Sequence, residues 1–97
     1  MTTDWTLEDP EIDTAIHPGV FLSEELEARG LTARELARQS HRPPGTMSAI
    51  IAGRRSVTPE TALDLEKVLG VSARFWLNLQ TTYDLTLARL KRADRTA

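Results

Sequence analysis

No cysteine occurs in the 97 residues, which excludes disulfide staples and thiolate metal ligands. Histidine is nearly absent too. His17 and His41 lie a helical hairpin apart with no third ligand beside them, so a metal site is not expected. No apolar stretch approaches the length of a secretory h-region or a membrane span, so the expected location is cytoplasmic, with no membrane partner. β-branched residues never alternate with polar ones as a half-buried strand requires. There is no nucleophile beside a base, no paired carboxylate set and no glycine-rich phosphate loop. The expectation is a protein that is not an enzyme and takes no cofactor.

What is present is an apolar fraction of 40%, dominated by Leu and Ala recurring three or four residues apart. That suffices for one hydrophobic core and predicts a single all-α domain. The net charge of −2 hides a lopsided distribution. Residues 1–28 hold Asp4, Glu8, Asp9, Glu11, Asp13, Glu24, Glu25 and Glu27 and no base. Residues 29–57 hold Arg29, Arg34, Arg38, Arg42, Arg54 and Arg55 against Glu35 alone. The remainder is close to balanced. The middle block is therefore the one place where a phosphate backbone would be attracted.

Capping chemistry divides the chain into five helices. Residues 1–16 form a polar, acidic arm with Trp5, Leu7, Ile12 and Ile16 as widely spaced apolar anchors. The first helix opens at Pro18, presents Phe21, Leu22 and Leu26 as one apolar face, and ends at Gly30. The second is the best marked, with Thr32 and Glu35 as a capping box and Leu31 and Leu36 in the two positions of a hydrophobic staple. It stops near Gln39, because Pro43 and Pro44 cannot continue a helix but can open one. The third runs from about Pro44 to Ala52, turning Met47, Ile50 and Ile51 inward, with Gly53 as its stop. The fourth starts at Thr58-Pro59-Glu60, buries Ala62, Leu65 and Leu69, and stops at Gly70. The fifth starts at Ser72, with Val71 and Trp76 placed as a staple, and carries apolar residues on more than one side. The domain is expected over 17–90, followed by a frayed basic tail over 91–97.

A capped short helix, a tight break and a second short helix followed at once by Gly53-Arg54-Arg55 is the construction of a helix-turn-helix reader. Short side chains at Pro44 and Gly45 permit close approach to a groove, while Arg54 and Arg55 are placed to neutralise phosphates. Thr46 and Ser48 are candidates for base or phosphate contact, and Arg34 and Arg38, four apart on the second helix, for backbone contact.

Five segments then carry a family resemblance: His17-Pro18-Gly19; Leu31-Thr32 with Glu35-Leu36-Ala37; Ile50 with Gly53-Arg54-Arg55; Thr58-Pro59-Glu60-Thr61-Ala62-Leu63; and Phe75-Trp76-Leu77-Asn78-Leu79-Gln80 with Tyr83-Asp84-Leu85. In this order and at these separations the chain resembles the HigA-type antitoxins, a branch of the Xre/Cro-like helix-turn-helix proteins. The resemblance implies a five-helix Xre/Cro-like domain that binds double-stranded operator DNA as a homodimer, represses its own operon, and neutralises a small basic ribonuclease toxin of RelE or HigB type. A stand-alone repressor, or an interaction module that has lost DNA binding, are the alternatives. The chain departs from the family where the reader helix begins: His41, Arg42 and Pro43 replace a small turn residue, an aliphatic and a cap, and Pro44 and Gly45 replace long polar readers. Phosphate contacts and DNA shape would then carry much of the affinity, or Arg42 and Thr46 would take over the reading.

The excess apolar surface of the fifth helix, Phe75, Trp76, Leu79, Tyr83 and Leu87, is the expected dimer contact. The acidic arm, through Asp4, Trp5, Glu8 and Asp9, is the candidate surface for attracting a basic toxin.

Overall fold

The structure is a computed structural model describing residues 14–96. Among these, five helices and no strand occur: α1 (Pro18–Arg29), α2 (Ala33–Gln39), α3 (Gly45–Ile51), α4 (Pro59–Leu69) and α5 (Ala73–Thr96). The arm residues Asp4, Trp5, Glu8 and Asp9 lie outside the described residues.

Local chemistry accounts for most helix ends. His17 Nδ1 accepts the Gly19 amide at 2.9 Å and Pro18 opens α1, while Gly30 closes it with φ 69°. The Thr32–Glu35 capping box forms in full. Thr58 and Ser72 hydroxyls accept the Thr61 and Phe75 amides at the starts of α4 and α5. At the other end of α4, Arg29 Nη2 donates to the Leu69 carbonyl at 2.7 Å and so ties α1 to α4.

The break between α2 and α3 is a Schellman turn. The Arg42 amide donates to the Ala37 carbonyl at 2.9 Å and the His41 amide to Arg38 at 3.1 Å, with His41 at φ 57°. A β-carbon in this left-handed region is crowded by the backbone, which is why glycine usually occupies it. His41→Gly is therefore expected to raise stability by about 0.5–1 kcal/mol, the relief of strain outweighing the added freedom of the unfolded chain. A melting temperature that stays put or falls would show that the turn is not strained at His41.

The core is drawn from all five helices: Leu22 and Leu26, Leu36 and Ala37, Met47 and Ile50, Ala62, Leu65 and Leu69, and Trp76, with Val57 from the loop after α3. Ile51, expected inside, is half-buried and packs against that cluster. α1 approaches α3 closely, where Gly19 rests on the backbone of Ile50 and Ile51.

Two expectations are corrected. Trp76, placed in the dimer contact, is completely buried in the monomer. Its ring meets Phe21 and Phe75 edge-on, at centroid distances of 5.4 and 6.1 Å, and its Nε1 donates to the Val71 carbonyl at 3.1 Å. The staple geometry thus turns the indole into the core, where it has no surface left for a partner. The helix also does not stop at Leu90: α5 continues through Lys91 to Thr96. Its residues Lys91, Arg92, Ala93 and Arg95 are good helix formers, and neither glycine nor proline follows Gly70 to stop them.

Candidate nucleic-acid interface

Both helices of the reader are seven residues long, so their placement depends on the turns that join them. A second Schellman turn ends α3: Gly53 takes φ 79°, its amide donates to Ile50 at 3.0 Å, and the Arg54 amide donates to Ala49 at 2.9 Å. This fixes the chain direction at Arg54 and Arg55, both exposed.

The arginines gather around the start of α3. Arg34, Arg38, Arg42 and Pro44 line one concavity together with Thr32 and Glu35. Arg42, Gly45, Thr46 and Arg55 line a second, together with Thr58, Glu60 and Thr61. Arg54 lines neither, and Ser48 is exposed on α3. Thr46 is only 5% exposed, because it falls four residues before Ile50 on the buried face of the helix. Its hydroxyl has little surface to offer a groove.

Glu35 is the one acid inside this basic block, and its role is structural. The Thr32 amide and then the Thr32 hydroxyl bond its carboxylate, with Arg38 adding attraction, and together they hold the carboxyl below the usual range. Glu35 thus stays ionised as the cap of α2, and its contribution is present at neutral pH and lost as pH falls through the lowered value.

Two functional candidates were not evident from the sequence. Asp64 on α4 accepts from Arg42 Nε at 2.6 Å, a partnership across 22 positions that no local pattern signals. Gln80, 6% exposed on α5, accepts the buried Val57 amide through Oε1 at 2.8 Å and donates to Asp84 Oδ1 at 3.0 Å. It anchors the loop that bears Arg54 and Arg55. The available signal was a polar residue four positions after Trp76, on a stripe of otherwise apolar positions. Gln80→Leu leaves the Val57 amide buried without an acceptor and is expected to cost about 1–3 kcal/mol, with faster hydrogen exchange at Val57. Unchanged stability and exchange would mean that the loop is held by other contacts.

A different face lies between α1 and α5. Phe75 is 38% exposed, Leu79, Tyr83 and Leu87 are half-buried, and Tyr83 meets the His17 ring edge-on at 4.9 Å. A largely apolar groove there is lined by Leu79 and Tyr83 but not by Phe75 or Leu87, and it includes Ile16 and Val20, exposed at 64% and 50%, which helical periodicity alone does not place on this face.

With two short helices joined by a tight turn and a basic rim around the second, the chain belongs to the helix-turn-helix family, whose model matches residues 22–76. Within that class it belongs to the Xre-like group that includes the HigA-type antidote proteins. It is 45% identical over 75 residues to virulence-associated protein I of Dichelobacter nodosus, covering 76% of this chain and 69% of that one. An addiction module antidote protein of a HigA family from Coxiella burnetii is 42% identical, with a TM-score of 0.76 over 84% of this chain and 89% of the other. The Pseudomonas aeruginosa antitoxin HigA, solved with the higBA promoter, is 30% identical, with a TM-score of 0.80 over 86% of this chain and 91% of its own. No helix among the described residues is long and apolar enough to cross a membrane, and none of their His, Asp and Glu side chains form a group that could hold a metal.

Proposed function

We propose that this chain is a DNA-binding antitoxin that represses its own operon and neutralises a small basic toxin of the RelE or HigB type. The observation that carries the reading is the similarity, at a TM-score of 0.80, to an antitoxin solved with its promoter, in a chain whose own α2–α3 unit is rimmed by Arg34, Arg38, Arg42, Arg54 and Arg55. In this reading α3 enters the major groove, and its rim arginines neutralise phosphates on either side. A single domain reaches few phosphates, so operator binding uses a two-fold dimer whose half-sites lie ~34 Å apart or a multiple of it. The apolar groove between α1 and α5 supports such pairing, with Leu79 and Tyr83 in the groove, Phe75 and Leu87 beside it on α5, and Trp76 behind as core. Residues 1–16, with Asp4, Trp5, Glu8 and Asp9, would attract and mask the RNA-binding surface of the toxin. The protein would act in the cytoplasm.

The test is co-expression of the tagged chain with its flanking genes. A small basic protein that co-purifies in fixed ratio, halts growth when expressed alone and is harmless beside this chain is the expected result. Flanking genes that are expressed but supply no such partner would remove the antitoxin half and leave a dimeric repressor.

A further inference from the structure

The start of α3 presents little that can read a base edge: Pro44 and Gly45 have no hydrogen-bonding side chain, Thr46 is buried, and the exposed Ser48 offers one short hydroxyl. One long donor is fixed beside it. Arg42 lies two residues before Pro44 and lines both concavities that flank the turn. Its Nε donates to Asp64 Oδ2 at 2.6 Å, a short charge-assisted bond, while 36% of its side chain remains exposed. A carboxylate on Nε sets the plane and rotamer of a guanidinium, yet leaves the two terminal amino groups as a fork. Such a fork matches guanine O6 and N7 in the major groove, and pre-orientation removes the ordering entropy that a free arginine loses on contact. Arg34, Arg38, Arg54 and Arg55 are exposed, and among the described residues Arg42 is the one rim arginine with an ion pair.

We propose that Arg42, oriented by Asp64, reads one guanine in each half-site, so that sequence specificity enters from the turn while the other arginines supply phosphate contacts. Asp64 is a positioning residue. This inference rests on the DNA-binding reading above.

The experiment selects duplexes from a random pool with the full chain and with Arg42→Ala, Arg42→Gln and Asp64→Asn, each checked for helix content and melting. The native chain is expected to enrich a motif containing a guanine. Arg42→Ala removes the preference at that position, by roughly 10- to 100-fold, without abolishing low-salt binding to arbitrary duplexes. Arg42→Gln shifts the preference toward adenine, whose N6 and N7 match an amide. Asp64→Asn keeps shape and weakens the guanine preference several-fold. If Arg42→Ala fails to fold, the other two variants decide. The same motif from all four proteins, or a native motif with no guanine, would overturn the proposal and leave Arg42 as a phosphate contact or a staple between the turn and α4. A native chain that binds no duplex even at low salt would remove the DNA-binding reading itself, and this inference with it.

Discussion

Gly19→Ala is expected to lower stability by at least about 3 kcal/mol, near or beyond the upper end of typical overpacking costs. An added β-carbon would overlap the Ile50 carbonyl oxygen and stand 2.9 Å from Ile51 Cα, and both obstacles are backbone. No rotamer change relieves such a contact. Either α1 moves off α3, which opens the core at Leu22 and Ile50, or α3 shifts and carries the arginine rim with it. At about 4–8 °C per kcal/mol for a domain of this size, the melting temperature should fall by more than 10 °C. The measurement is thermal unfolding followed by circular dichroism. A drop of less than a few degrees would mean that α1 and α3 pack less closely than the structure has them. Gly45→Ala is the matched control: its β-carbon meets nothing within 4 Å, so a small change is expected there.

Trp76→Ala is the second large effect, expected to destabilise the isolated domain by about 3–5 kcal/mol. The indole is completely buried and joins α1 to α5 through Phe21 and Phe75, so removal leaves a cavity at the centre of the fold. The measurement separates core from interface. Denaturant unfolding at several protein concentrations should show the midpoint lowered at every concentration for Trp76→Ala. Under the proposed pairing Tyr83→Ala, in the groove, should act mainly by changing the concentration dependence, because a dimer is stabilised by mass action. A Trp76 variant that melts like the native chain when dilute and differs only when concentrated would restore the indole to the dimer contact.

The helix boundaries were legible because they are written in short-range chemistry. Thr32 with Glu35, Thr58 with Pro59, and Gly30, Gly53 and Gly70 each act within a turn of where they stand, and the structure uses them as caps and stops. What the sequence withheld is long-range or conformational. The Arg42–Asp64 pair and the Gln80–Val57 bond join residues more than twenty positions apart. His41 adopts a backbone conformation in which glycine or asparagine would have been anticipated, so the Schellman turn was hidden behind the two prolines. For Trp76 the two readings, staple and interface, were both available from α5 periodicity, and only packing against Phe21 separates them. Thr46 failed as a groove residue for a similar reason, since α3 is too short for its period to define a face in advance.

The central claim is that α2 and α3 form a DNA-binding unit whose rim arginines neutralise phosphates. Its most direct test is the affinity of the native chain for the duplex upstream of its own reading frame, measured across a salt series beside Arg54→Ala/Arg55→Ala. The predicted result is that log K falls linearly with log salt, and that the double variant has a slope shallower by about 0.9 for each phosphate that Arg54 and Arg55 neutralise. A native affinity indifferent to salt, or a double variant with the native slope, would contradict it.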